Sequence, residues 1–262
     1  MTIIFHKYQG TGNDFVMIDN RSGVFDRQNN QLVALLCHRR FGVGADGLIL
    51  IQKRQDFDFE MIYFNADGYE GSMCGNGGRC AVAFAHTLGL FDTHTTFMAT
   101  DGLHEATITP ENEIRLKMQD VSSVERNPEF AYMNTGSPHY VTFSQGLTNK
   151  DVFAEGRAIR YNDRFAAVGT NVNFVEKQAD NTLFVRTYER GVEDETYSCG
   201  TGVTAAALTA SVDLPSPIRI KTLGGNLQVA FEAIDSEHFK NIFLIGPAQK
   251  VFEGTFEYSA QA

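Results

Sequence analysis

The sequence predicts an α+β fold in which two similar halves each wrap a mixed or antiparallel sheet around a central buried helix. Three observations predict it. A residue pattern around one cysteine recurs around a second, extended apolar runs outnumber helical ones, and two helical runs consist almost wholly of small and apolar residues. A chain of 262 residues is long enough to form two domains of medium size.

The repeated pattern is centred on Cys74 and Cys199. Phenylalanine, tyrosine and glutamate stand 15, 11 and 4 residues before each cysteine, and Gly-x-Gly follows each. Chance alone gives about one such identity in a window of this length. The six shared residues therefore indicate an internal duplication.

A Tyr-x-x-Thr-Gly motif extends the repeat upstream. It contains Thr11 in the first half and Thr135 in the second, 63 and 64 residues before the respective cysteine. The halves join near residues 117–127. We therefore expect a first domain of residues 1–118 and a second of residues 119–248.

Each half has the same order of elements. Extended runs with alternating or continuous apolar residues predict strands, among them FVMID, GLILIQ and FEMIYF, then YVTF, NVNFVEK and TLFVRTYER. An amphipathic helix interrupts them, at NNQLVALLCHRRF and at DVFAEGRAIRY. After the cysteine loop comes an apolar helix, GGRCAVAFAHTLG or GVTAAALTASV. Helices that are apolar on all sides are expected to be buried.

The C-terminal run, residues 249–262, has no counterpart at the end of the first half. There the extended run EIRLKM passes directly into the segment that joins the halves. We expect the C-terminal run to return and complete the sheet of the first domain.

Composition excludes several classes of function. A net charge of −10 without a cluster of Lys and Arg argues against a nucleic-acid partner. No run of 18 apolar residues indicates a membrane span, and the N-terminus does not resemble a signal peptide, so we expect a cytoplasmic protein. The four cysteines lack Cys-x-x-Cys spacing, which argues against structural zinc. Cys37 and Cys80 lie within apolar helical patterns and are expected to be packing residues.

Cys74 and Cys199 lie in glycine-rich turns that open the two apolar helices. The unpaired N–H groups and the positive end of the dipole at a helix start favour a thiolate and can bind a carboxylate. If the duplicated halves face each other, the two thiols reach opposite faces of one carbon. One thiolate can then remove a proton while the other thiol returns one.

Two alternatives to this chemistry remain open. Matching cysteines in a duplicated fold can simply pack equivalent corners. Two facing thiols can also oxidise to a disulfide, which in a reducing cell would be an inactivated form.

Six motifs together resemble those of the diaminopimelate epimerases, over nearly the whole chain. They are YQGTGNDFVMID, GVGADGLILI, FNADGYEGSMCGNGGRC, GSPHYV, GTNVNF and YERGVEDETYSCGTG. The resemblance implies interconversion of LL- and meso-diaminopimelate on the route to lysine and peptidoglycan. It also implies two pseudo-symmetric domains, no metal or other cofactor, and commonly a homodimer.

The resemblance also implies roles for individual residues. Cys74 and Cys199 match the acid and base pair, and Glu189 and His139 match residues that support the thiols. The implied substrate-binding residues are Asn13, Asn65, Gly75, Asn76, Asn171, Glu189, Arg190, Gly200 and Thr201. One departure is GSPH, where the family commonly reads Gly-Asn-Pro-His, so Ser137 is not assigned to the substrate.

Rival signals are weaker. GVGADG fits a dinucleotide motif by letter, but a helical run precedes it and a strand follows, the reverse of the required order. GTGVTA opens a helix, but no acidic residue ends the following strand.

A proline racemase is expected to read Met-Cys-Gly-His-Gly where this chain has MCGNG, and phenazine-type isomerases lack the cysteine pair. A catalytically silent binding protein on the same scaffold remains the alternative from another class.

Overall fold

A computed structural model describes residues 1–259. Contacts divide them into two compact units, unit 1 (Met1–Leu116 with the segment from Pro247 onward) and unit 2 (Lys117–Gly246). The described residues contain 17 strands and 4 α-helices, and the strands pair in both parallel and antiparallel senses. The predicted α+β class with mixed sheets is confirmed. No helix in residues 1–259 is long and apolar enough to cross a membrane.

Unit 1 contains eight strands and two helices within residues 1–259. In chain order they are β1 (Thr2–Gly10), β2 (Asn13–Asp19), α1 (Asn30–Cys37), β3 (Gly47–Gln52), β4 (Phe59–Asn65), α2 (Gly75–Thr87), β5 (His94–Ala99), β6 (Gly102–Ile108), β7 (Ile114–Lys117) and, from the end of the chain, β17 (Gln249–Glu257). Parallel neighbours need a crossover connection. Helix α1 supplies it between β2 and β3, and helix α2 between β4 and β5.

Unit 2 repeats this arrangement. Its elements are β8 (Val124–Arg126), β9 (Ala131–Asn134), β10 (Pro138–Phe143), a 3₁₀ turn (Leu147–Asn149), α3 (Val152–Arg160), β11 (Asn171–Lys177), β12 (Leu183–Glu189), β13 (Asp194–Thr196), α4 (Gly200–Ala210), β14 (Ile218–Thr222), β15 (Gly225–Ala233) and β16 (Phe239–Gly246). Helix α3 connects the parallel pair β10 and β11, and α4 connects the parallel pair β12 and β14.

The pairing order is the same in both units. Strands β1 to β7 pair as antiparallel, parallel, antiparallel, parallel, antiparallel and antiparallel neighbours. Strands β9, β10, β11, β12, β14, β15 and β16 show the same series. The duplication read from the sequence therefore extends to the topology of each sheet.

An extra strand lies beside the first strand of each series. In unit 1 it is β17, which runs antiparallel to β1. In unit 2 it is β8, antiparallel to β9, so the segment that joins the halves contains the counterpart of the C-terminal strand. Residues 260–262 of the predicted C-terminal run lie outside the described residues.

The two apolar helices are buried, as predicted. From Gly75 to Ala85, only Ala83 on α2 is not buried, and all of α4 except Thr201 is buried. Helix α2 contacts strands β1 to β4 and β17, and α4 contacts β9 to β12 and β14 to β16. Each sheet covers its helix along most of the helix length, as expected for a helix built mostly of small and apolar residues.

The amphipathic helices are shorter than predicted. Helix α1 ends at Cys37, and His38 already has an extended backbone, so HRRF is not helical. The chain turns back there, and the N–H of Val43 bonds the carbonyl of Leu36. Helix α3 lacks the first and last residues of its predicted run. The Asp151 side chain caps its start by accepting from the N–H of Ala154, and Tyr161 is its C-cap.

Candidate active site

Cys74 and Cys199 hold equivalent places in their units, because each is the N-cap of the buried helix, α2 or α4. Both have an extended backbone, with φ −109° and ψ 151° at Cys74 and φ −113° and ψ 111° at Cys199. The N–H of Gly77 donates to the Sγ of Cys74 over 3.2 Å. The helix dipole and the N–H groups of the first turn stabilise a thiolate at such a position. The prediction that each cysteine opens a buried helix is confirmed.

The other two cysteines lie in the core. Cys37 is 2% and Cys80 0% exposed. Burial raises the pKa of each to about 12, so both remain thiols at neutral pH. Their predicted role as packing residues is confirmed.

Asn13 lies beside the thiol of Cys74. Its Oδ1 is 3.9 Å from the Sγ, and its amide nitrogen donates to Oδ2 of Asp46 over 2.6 Å. Because a carboxylate only accepts hydrogen bonds when ionised, this bond fixes which end of the amide faces the sulfur. Asn13 therefore presents an acceptor to the S–H group of Cys74.

Asp46 belongs to a charged group beside β2. Arg39 donates to Asp14 over 2.8 Å and to Asp46 over 2.7 Å, and Lys7 pairs with Asp14 at 2.7 Å. Burial by itself would raise the pKa of Asp14, but hydrogen bonds from Arg39 and Lys7 outweigh it and lower the pKa to about 2. This charged group anchors the Asn13 amide. In the described part of the chain no group of three or more His, Cys, Asp or Glu residues is placed to hold a metal ion.

Arg79 lies on α2 with no exposed surface. Its Nη2 donates to Oγ1 of Thr11 and to Oδ1 of Asn76, both over 3.1 Å. Its Nη1 and Nε donate to the carbonyls of Gly75 and Pro247 over 3.2 and 3.3 Å. Burial lowers the pKa of Arg79 to about 10, which leaves it charged at neutral pH. The guanidinium therefore fixes Oδ1 of Asn76 as an acceptor and turns its amide nitrogen away.

The repeated threonine has the same task in both units. The Oγ1 of Thr11 lies 3.4 Å from Oδ1 of Asn76, the second residue after the capping cysteine. The Oγ1 of Thr135 donates to the carbonyl of Thr201, again the second residue after the cysteine, over 2.9 Å. The Tyr-x-x-Thr-Gly motif thus ties the turn of the first hairpin to the helix start in each unit.

A chain of polar side chains surrounds the thiol of Cys199, which is 7% exposed. Its Sγ lies 3.4 Å from Oγ1 of Thr201, and that hydroxyl lies 3.4 Å from Oγ of Ser137. A Cβ on Gly202 would lie 2.3 Å from Oδ1 of Asn173. Only glycine therefore lets the start of α4 approach β11 this closely.

His139 on β10 is fully buried, with 0% exposure. Its Nε2 lies 3.0 Å from Oγ of Ser137, and its Nδ1 lies 3.1 Å from the amide nitrogen of Asn173. Burial, followed by the positive charge of Arg190, lowers the pKa of His139 to about 3. The imidazole is therefore neutral at physiological pH and acts there through hydrogen bonds.

Asn171 connects three parts of unit 2. Its amide nitrogen donates to Oγ of Ser137 and to the carbonyl of Pro138, each over 3.0 Å. Its Oδ1 accepts from the backbone N–H of Arg190 over 2.9 Å. The guanidinium of Arg190 donates to the carbonyl of Val168 over 3.1 Å. Asn171 thus holds both the Ser137 hydroxyl and the chain at Arg190 in place.

Glu189 ends strand β12, and its Oε2 accepts from Oγ1 of Thr196 over 2.8 Å. The acidic run that follows is not a simple turn. It contains strand β13, and Glu195 there pairs with Arg186 at 2.6 Å. Glu195, the glutamate four residues before Cys199, is therefore held against the sheet by this ion pair.

Asn65 ends strand β4 and is exposed. Its carbonyl accepts from the N–H of Gly68 over 3.0 Å, which closes a tight turn. The role of Asn65 at the substrate stays a prediction.

Three residues that shape these surroundings were not predicted. Asp46 belongs to GVGADG, a segment of the family resemblance in which no residue was given a role. Arg79 is the one arginine in the apolar run that became α2, and a lone charge in such a helix is itself a signal. Asn173 alternates with Asn171 on β11, so both side chains point to the same face of the sheet.

Comparison with known proteins identifies relatives along nearly the whole chain. The sequence model of the family "Diaminopimelate epimerase" matches residues 5–124 and 131–251. A diaminopimelate epimerase of Flavobacterium psychrophilum is 51% identical over 95% of this chain and 98% of its own length. One of Chlorobaculum tepidum is 45% identical over 94% and 98%.

Solved structures share the fold at low identity. A PhzF-family phenazine biosynthesis protein of Bacillus anthracis has a TM-score of 0.73 at 14% identity, over 98% of this chain and 100% of its own. A hydroxyproline epimerase of Agrobacterium vitis has a TM-score of 0.68 at 14% identity, over 97% and 92%. The family model and the two close relatives confirm the resemblance drawn from the motifs: the chain belongs to the diaminopimelate epimerase family, a family of isomerases.

Proposed function

We propose that the chain interconverts LL- and meso-2,6-diaminopimelate, with Cys74 and Cys199 as the two proton carriers. One observation carries the proposal: the two cysteines of an internal duplication cap equivalent buried helices. The substrate is inferred from membership of the family, and the acid–base chemistry is inferred from the position of the two thiols at helix starts. The two compact units support the division into halves at residues 1–118 and 119–248.

The proposed reaction moves one proton across an α-carbon. A thiolate removes the α-proton, and the electron pair of the broken C–H bond remains on carbon as a planar carbanion. The second thiol donates its proton to the opposite face and becomes a thiolate. The two sulfurs have then exchanged protonation states, so the reverse reaction uses the same groups in opposite roles.

The carbanion is stabilised by groups that bind its carboxylate. N–H groups at the starts of α2 and α4 donate to the oxygen atoms on which negative charge develops. Neither a metal ion nor pyridoxal phosphate is needed for this step. The proposed substrate-binding residues are Asn13, Asn65, Gly75, Asn76, Asn171, Glu189, Arg190, Gly200 and Thr201.

His139 and Glu189 are proposed to support the thiols. The low pKa of His139, about 3, assigns it a hydrogen-bonding role at neutral pH. The carboxylate of Glu189 accepts from Thr196, which orients it at the end of β12. Neither residue is proposed as the primary proton carrier.

The experiment is incubation of LL-diaminopimelate with the chelator-treated, reduced protein in deuterated water. We expect the meso isomer to form with deuterium at the α-carbon. Absence of both would overturn the assignment and favour a silent binding protein. Turnover of proline instead would favour a proline racemase.

Single cysteine variants test the two-base mechanism. Cys74→Ala and Cys199→Ala should each lower epimerisation by about 10²- to 10⁴-fold, the usual contribution of a positioned acid or base. Cys80→Ala is the matched control, because that thiol lies in the core and should leave epimerisation intact. Full activity in either of the first two variants would refute the mechanism.

Further features of the family resemblance also remain proposals. We infer a homodimer in solution and a place in lysine and peptidoglycan precursor synthesis in the cytoplasm. Light scattering that gives the mass of one 29.1 kDa chain at micromolar concentration would contradict the dimer.

A further inference from the structure

The polar side chains near Cys199 form a continuous series of contacts within unit 2. From Asn173 to His139 the distance is 3.1 Å, from His139 to Ser137 3.0 Å, from Ser137 to Thr201 3.4 Å and from Thr201 to Cys199 3.4 Å. Each of the contacting atoms except the amide nitrogen can donate or accept. Fixed neighbours decide the direction of the first three bonds in turn, and a thiolate at Cys199 decides that of the last, because a thiolate only accepts.

The direction begins at Asn173, which has no exposed surface. Its amide nitrogen lies 3.0 Å from the carbonyl of Tyr140, and its Oδ1 accepts from Oγ1 of Thr187 over 2.9 Å. A carbonyl only accepts, so the nitrogen must face Tyr140. The second N–H of the same nitrogen then points at Nδ1 of His139. That ring atom is therefore the acceptor, and a neutral His139 carries its proton on Nε2.

The next bond is fixed at Ser137. Its Oγ receives the Nε2–H of His139 and an N–H of Asn171, both over 3.0 Å. The orientation of Asn171 is fixed because its nitrogen also faces the carbonyl of Pro138 and its oxygen faces the N–H of Arg190. A hydroxyl has two lone pairs and one hydrogen. With both lone pairs occupied, Ser137 has its hydrogen to donate to Oγ1 of Thr201.

Thr201 completes the series. Having accepted from Ser137, its hydroxyl has its own hydrogen to donate, and the Sγ of Cys199 lies 3.4 Å away. Both of the last two bonds are long, at 3.4 Å. Bonds of this kind tighten when the acceptor carries charge. When Cys199 is a thiolate it can only accept, so the end of the series is then a donor to sulfur, which favours the thiolate.

We propose that Ser137 and Asn173 are positioning residues of the reaction, which act through a one-way hydrogen-bond chain, Asn173→His139→Ser137→Thr201→Cys199, that stabilises the thiolate of Cys199. The inference rests on the proposed function in so far as Cys199 is a proton carrier. It adds two residues that the motif comparison did not assign. It also gives buried His139 a task that needs no change of charge.

Charged groups near the chain are few. On β10 the titratable groups are His139 and Tyr140, whose pKa is raised by burial, and on β11 the site residues Asn171 and Asn173 are uncharged amides. Glu189 ends β12, and Arg190, which follows it, lowers the pKa of His139 through its positive charge. The proposed variants leave Glu189 and Arg190 in place, so their influence is common to every measurement.

The test measures the pKa of Cys199 without turnover. In a Cys74→Ala background, the rate of alkylation of Cys199 by iodoacetamide is followed against pH, and the labelled peptide is identified by mass spectrometry. Ser137→Ala and Thr201→Val should raise the pKa of Cys199 by about one unit, a tenfold loss of thiolate below the pKa. Thr201→Ser, which keeps the hydroxyl, is the matched control and should keep the pKa of the background protein.

The tautomer of His139 gives an independent readout. Nitrogen-15 spectra of the wild-type chain should show a neutral ring with the proton on Nε2 at pH 7. A proton on Nδ1, or an unchanged Cys199 pKa in a folded Ser137→Ala variant, would overturn the proposal. If the pKa shifts are found but diaminopimelate is not epimerised, the chain of bonds stands and the proposed function fails.

Discussion

Acid should destabilise the fold through His139 well before the carboxylates protonate. The side chain is fully buried, and its pKa is lowered from 6.5 to about 3. Between these values the unfolded chain binds a proton that the folded chain excludes. Stability is therefore fully present above pH 6.5 and falls as the pH drops toward 3.

The magnitude follows from the size of the pKa shift. Each pH unit below 6.5 costs about 1.36 kcal/mol, so one and a half units, to pH 5, cost about 2 kcal/mol. At pH 3 the loss approaches about 5 kcal/mol. Asp14 protonates only below its ordinary pKa of 3.8 and contributes little at pH 5.

The assay is urea unfolding of the wild-type chain and of His139→Gln, each at pH 7.5 and pH 5.0. Glutamine keeps polar atoms at the site but does not titrate. We expect the wild type to lose about 2 kcal/mol more than the variant between the two pH values. His6, whose pKa is also lowered by burial, is present in both chains, so its contribution cancels. Equal losses in the two chains would refute the reasoning.

Two further substitutions test packing, one in each unit. Gly156→Ala should destabilise the chain by about 1 to 2 kcal/mol, because the new Cβ would lie 2.4 Å from Cβ of Tyr188 and overpacking outweighs the gain in helix propensity. Urea unfolding measures this loss of stability. The control is Ala158→Gly on the same helix, which measures helix propensity alone. A more stable Gly156→Ala variant would contradict the close approach to Tyr188. Cys80→Ala should cost about 1 kcal/mol in the same unfolding assay through lost packing. The wild-type chain should show no alkylation at Cys80 when folded at pH 8, and labelling there would argue against its burial.

The fold could be predicted because its signals are long and repeated. Strand β3 is continuously apolar up to Ile51, β4 is apolar from Met61 to Phe64, and α2 and α4 consist mostly of small and apolar residues. A duplication doubles the evidence for each element. Strand β8 escaped notice because its three residues are too few to show alternation.

The two thiols could also be predicted, since a shared pattern surrounds them. The side chains that orient them could not, because hydrogen-bond partners come from distant strands. Asp46 meets Asn13 across 33 residues and His139 meets Asn173 across 34. Ser137 was set aside as a departure from the family motif. Its place between His139 and Thr201 depends on the side-by-side arrangement of β10 and the start of α4, which no local pattern encodes.

Because β1 pairs with β17, unit 1 can be completed during synthesis only after unit 2. Strand β1 ends at Gly10 and β17 begins at Gln249, so at 5 to 20 residues per second the partner strand emerges about 10 to 50 seconds later. Unit 2 has no such delay, because β8 comes just before β9. Through that interval one edge of β1 lacks its partner, and unpaired strand edges are sites of aggregation. The nascent chain is therefore exposed to aggregation at β1 until β17 has been made.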